Sequence, residues 1–110
     1  MKNPQTDLLQ GTLEMLILKA LSLGPMHGWS VSKRIEQVSA NTLQIKQGSL
    51  YPALHRLESK GYVVAEWNIT EDHRRAKFYQ LTPKGQVQLD AETHGWARFA
   101  CAVNAVLAMG

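Results

Sequence analysis

Apolar residues at the start of the chain step by three and four. Leu9, Leu13, Leu16, Ala20 and Leu23 predict the core stripe of a helix that Asp7, with Gln10 three residues on, is placed to cap. Leu8, Met15 and Leu18 fall on another side of it, and a helix apolar on two sides must be covered twice. Gly24 and Pro25 end it in a turn. A second helix is expected from about His27 to Val38, with Val31, Ile35 and Val38 inward and Ser32, Lys33, Glu36 and Gln37 outward. In the stretch 39–46, Leu43 and Ile45 point one way, the pattern of a brief edge strand.

Leu50, Ala53, Leu54 and Leu57 then form an unbroken i, i+3, i+4, i+7 stripe, which predicts a third helix. Pro52 belongs in a first turn, so this helix is expected to start close to Ser49, a good N-cap, and to end at Gly61. Two strand-like runs, YVVAEW and AKFYQL, joined by NITEDHRR, predict a hairpin with a charged tip. Thr82 and Pro83 open a last helix expected to reach about Leu107, with Gly95 in its middle weakening it. Along it Leu89, Trp96 and Val103 recur every seven residues, Phe99 and Val106 fall between, and Glu92 breaks the pattern once. Some 25 residues span roughly 37 Å, longer than a core of three short helices and a hairpin covers. The far half is therefore expected to pack on helix one of a partner subunit, in a two-fold dimer.

The expected fold is mainly α with a small β-hairpin: a winged helix-turn-helix over residues 1–82 and a long C-terminal dimerisation helix over 83–110. A major groove admits one helix, and the third helix suits it. Its leucine face fixes it to the body. The opposite face carries Gly48, Tyr51, Pro52, His55 and Ser59, with Ser49 and Arg56 beside them and no acid. Charge agrees in placement more than in total. The formal net charge of +3 is mild, but residues 46–84 hold seven basic and four acidic groups, against four and three before them and one and two after.

The expected DNA contacts are Gln47, Ser49, Tyr51, His55 and Arg56 on the helix and Arg74, Arg75 and Lys77 on the hairpin, where basic side chains reach phosphates or a minor groove. Each has a plainer reading beside it: Ser49 as a cap, Tyr51 as edge packing, the histidine and the basic residues as a solvated face. Trp29 and Trp67 are read as structural. The four histidines lack ligand spacing, so no metal or other cofactor is expected. No nucleophile and base stand in a recognisable arrangement, which argues against catalysis. One cysteine, Cys101, excludes an internal disulfide, and at an apolar helix end it offers neither the exposure nor the lowered pKa of a redox sensor. With no long apolar run or leader pattern, the sequence reads as a cytoplasmic protein with no membrane partner.

The segments LLQGTLEMLIL, GPMHGW, QGSLYPALHRLESKGYV, AEW and RRAKFYQLTPKG, with the tryptophan of the last helix, resemble the PadR family of bacterial transcriptional regulators, most of all its short class with a single C-terminal helix. The resemblance covers nearly the whole chain, with its motifs in order. It implies a homodimeric repressor that binds an inverted repeat in double-stranded promoter DNA and is released by a small aromatic or hydrophobic effector. In that family the equivalent tryptophans of two subunits can face each other across an apolar space. The resemblance thus implies Leu8, Met15 and Trp96 as ligand contacts, beside the plainer reading of Trp96 as interface packing. The alternative is a winged helix that has lost DNA binding and recruits another protein.

Overall fold

The computed structural model describes residues 10–110. The elements run α1 (Gln10–Leu21), β1 (Met26–His27), α2 (Gly28–Val38), α3 (Gln47–Ser59), β2 (Val63–Ile69), β3 (Arg75–Leu81) and α4 (Pro83–Leu107). The strands form one antiparallel sheet in the order β1-β3-β2. Three helices against a small sheet, with β2 and β3 as the wing and a long helix after them, make this a winged helix-turn-helix.

The core sits where α1, α2 and α3 meet the inner face of the sheet. Ile17, Leu18, Val31, Leu50, Leu54, Leu57 and Val63 are its largest fully buried side chains. The α3 stripe is buried at every expected position. The face of α1 differs from expectation: Ile17, Leu18 and Leu21 join Leu13 and Ala20 inside, while Leu23 lies past the helix end and is exposed. Leu8, Leu9 and the Asp7 cap lie outside the described residues. On α2, Val38 is exposed and Ser32 buried, the reverse of the pattern reading; the Ser32 hydroxyl donates to the Trp29 carbonyl at 2.8 Å and so enters the core satisfied.

No strand forms at Leu43 and Ile45. The third strand is Met26–His27, paired to Tyr79 and Phe78. Side chains at the end of α2 hold the 39–46 stretch instead. The Leu43 amide donates to Ser39 Oγ at 3.1 Å and the Ile45 amide to Glu36 Oε2 at 3.0 Å, while both apolar side chains pack on the core.

The start of α4 is fastened to the end of α3. Gly61, at φ 79°, lets the chain leave α3 with the Tyr62 amide on the Leu57 carbonyl and its own amide on Glu58. Thr82 Oγ1 donates to the Gly61 carbonyl at 2.7 Å and accepts from the Gly85 amide at 3.0 Å, which caps α4 as the sequence predicts. Leu89 is the last residue of α4 buried in the core. Beyond it Trp96, Phe99, Val103, Val106 and Leu107 form an exposed apolar seam, and Cys101, expected to be covered, is exposed too. Among the described residues no helix is long and apolar enough to cross a membrane.

Candidate nucleic-acid interface

Helix α3 begins two residues earlier than expected. Its N-cap is Lys46, in extended conformation and without a side-chain cap bond, so Ser49 lies inside the first turn and is not the cap. Pro52 consequently sits within the helix. Its missing N–H leaves the Gly48 carbonyl without the usual i+4 donor, at an exposed position open to solvent. Gln47, Gly48, Ser49, Tyr51, Pro52 and His55 are all exposed, and none is acidic. Tyr51 leans against the start of α2: a Cβ on Gly28 would lie 2.9 Å from its ring and 3.3 Å from its hydroxyl. Gly28 therefore permits the approach that sets the direction of this tyrosine.

Arg56 is drawn away from that face. Its Nε donates to Glu14 Oε2 at 2.7 Å, and Lys60 Nζ lies 3.6 Å from Glu14 Oε1. Glu14, 6% exposed, is thus a buried α1 acid holding one cation of α3 and the lysine that caps its C-terminus. The expectation that Arg56 belongs with the open face misses this pairing, because its partner is 42 residues away in sequence. Glu14→Gln is expected to cost about 1–2 kcal/mol, below the full cost of orphaning a buried charge, because the Arg56 side chain is 33% exposed and regains water. Urea unfolding of the two proteins side by side measures it.

The wing flanks α3. Register places Val63, Ala65, Trp67 and Ile69 opposite Leu81, Tyr79, Lys77 and Arg75, all on one face. The first two rungs close over the core. The outer two, Trp67 with Lys77 and Ile69 with Arg75, carry that face beyond it. Lys77 Nζ lies 3.5 Å from Glu58 Oε1 of α3 and 5.8 Å from the Tyr79 ring, so it braces the wing against the helix. Burial, then the Glu58 carboxylate and Tyr51, raise the Tyr79 phenol above its ordinary value. At the tip, the Thr70 amide donates to the Arg74 carbonyl at 2.8 Å and the Arg74 amide to Thr70 Oγ1 at 3.1 Å, with His73 in the left-handed region. Arg74 and Arg75 are exposed.

Of the expected contacts, Gln47, Ser49, Tyr51 and His55 share the open face of α3, Arg74 and Arg75 project from the wing, and Lys77 and Arg56 are engaged in ion pairs. Two exposed side chains beside this surface were not among the expected contacts. Lys46 is exposed at the head of α3, with no acidic partner among the described residues; the N-cap serine expected three residues later hid it. Trp67, read as structural, is 57% exposed on the outer wing. Trp29 is likewise exposed, stacked on His27 with Lys33 above it.

Met15 and Trp96 come together in a groove of about 540 Å³ between α1 and α4, which Leu16 and Leu89 also line. Leu8, expected in the same space, lies outside the described residues. No group of histidine, cysteine or acidic residues among the described ones could hold a metal ion.

Residues 17–91 match the model of the transcriptional regulator PadR-like family. The chain is 42% identical over 79% of its length to an uncharacterized 37.1 kDa protein in a transposon of Streptomyces fradiae, of which it spans 24%. It superposes with a TM-score of 0.81 on a transcriptional regulator from Clostridium thermocellum, at 28% identity over 90% of this chain and 96% of that one. A PadR family transcriptional regulator from Eggerthella lenta gives 0.78, at 29% identity over 92% and 86% of the two chains.

Proposed function

The chain belongs to the PadR-like family of transcriptional regulators, and from that membership we propose that it acts as a homodimeric, DNA-binding repressor in the cytoplasm. That family consists of regulators, not enzymes. One observation carries the reading: the acid-free open face of α3 and the arginine-bearing wing are braced together by the Lys77–Glu58 contact. The α3 face enters a major groove, with Gln47, Ser49, Tyr51 and His55 toward base edges and phosphates, and Arg74 and Arg75 reach the flanking backbone or minor groove. A two-fold dimer presents this surface twice, which suits an inverted repeat.

The dimer forms through α4. Trp96 is 49% exposed, and Phe99, Val103 and Val106 continue its seam, an apolar surface that a second chain covers. Residues 83–110 are the dimerisation helix, packed on α1 of the partner subunit, and residues 1–82 the DNA-binding unit. A small aromatic or hydrophobic effector occupies the groove of Met15 and Trp96, with Leu8 assigned to the same space. Effector and DNA favour different spacings of the two α3 helices, so each weakens the binding of the other.

Mobility-shift titration of the duplex immediately upstream of the gene tests this. Arg74→Ala with Arg75→Ala removes four wing cations per dimer and is expected to weaken binding about a hundredfold at roughly 100 mM salt. Unchanged affinity with dimers intact would instead favour an interaction module that recruits protein. Trp96→Ala is expected to weaken self-association about tenfold or more, read by sedimentation equilibrium, and to abolish quenching of the protein's fluorescence by planar aromatic compounds.

A further inference from the structure

The outer face of the wing is unusual in what it leaves in water. Trp67 and Ile69 are 57% and 58% exposed, yet they continue the face whose inner rungs, Val63 and Ala65, close over the core. The Arg75 guanidinium carbon lies 4.8 Å from the centroid of the Trp67 ring, diagonally across one rung, while Lys77, directly opposite Trp67, is held by Glu58. Arg75 has no acidic partner among the described residues, so the indole is what orients it.

We infer that Trp67 is a positioning residue for DNA binding: its indole holds the Arg75 guanidinium on the α3-facing side of the wing, aimed at the same duplex that α3 enters. This rests on the DNA-binding reading above. An arginine free in solvent must give up rotamer freedom to meet a phosphate or a narrow minor groove, and one stacked on a ring has given up much of it already. The pairing is electrostatic and strengthens as the duplex excludes water from it. With its carbon over the indole at 4.8 Å from the ring centroid, the guanidinium keeps N–H groups free to donate to nucleic acid, since the ring takes none of them as a conventional acceptor.

The experiment is a double-mutant cycle read by titration of the upstream duplex at fixed salt, with thermal unfolding of each variant as the folding control. Trp67→Ala is expected to weaken binding about three- to tenfold, and Trp67→Phe, which keeps a ring beneath Arg75, to recover most of that loss. Once Arg75 is alanine, adding Trp67→Ala should cost nothing further, because the indole acts only through the guanidinium. Losses that add in the double variant, or wild-type affinity in Trp67→Ala, would overturn the proposal while leaving DNA binding standing. Failure of the wild-type protein to bind any duplex, even at low salt, would overturn the DNA-binding reading and this inference with it.

Discussion

Raising the salt from about 50 to about 200 mM is expected to weaken binding of the upstream duplex by about a thousandfold. On α3 and the wing, each protomer offers three exposed cations without an acidic partner among the described residues: Lys46 at the head of α3 and Arg74 and Arg75 on the wing. Lys77 is discounted because Glu58 already neutralises it. A dimer then neutralises around six phosphates, and affinity falls with a log-log slope of about −0.9 for each, which over a fourfold change in salt gives roughly three decades. Fluorescence anisotropy at several salt concentrations measures the slope. A response near zero would mean that these cations do not meet phosphate, and the interface assigned here would be wrong. Lys46→Ala should lower the slope by about two, one phosphate per subunit.

Gly85→Ala is expected to destabilise the fold by about 3 kcal/mol or more, lowering the thermal midpoint by roughly 10–20 °C. On an exposed helix the same change gains about 1 kcal/mol, since alanine is the better helix former. Here a Cβ would stand 2.0 Å from the Tyr62 carbonyl oxygen and 2.7 Å from Leu81 Cδ1. The carbonyl cannot withdraw, because it accepts the Thr82 amide at 3.1 Å and lies just after the turn that ends α3. The steric conflict exceeds the propensity gain, so the sign reverses. Calorimetry of the two proteins decides it, and a midpoint at or above wild type would show that α4 can shift off the sheet at little cost.

What the sequence revealed follows how local each cause is. α3 and α4 were legible because their determinants lie within a few residues: four apolar positions at helical spacing in one, a Thr-Pro start and a 25-residue pattern in the other. The hairpin was legible for the same reason. Strand β1 was not, since two residues carry no period and become a strand only through pairing with Tyr79 and Phe78, some fifty positions on. Leu43 and Ile45 alternate as strand residues do, but Ser39 and Glu36 take their amides first. In α1 four apolar residues run consecutively from Met15 to Leu18 and so fall on every side, which left its phase underdetermined, and the inward choice of Ile17 and Leu18 is made by packing in the core. Residue types singled out one helix face and the wing tip, and both are exposed. Which cations remain free depended on Glu14 and Glu58, and that is decided only in three dimensions.

The abrupt change of surroundings along α4 sets how this chain can vary. Up to Leu89 the helix is bound into the body, whereas from Gly95 onward its side chains lie mostly in the open. Substitutions on that projecting arm meet few neighbours within the protomer, so its surface can drift while the packed body stays as it is.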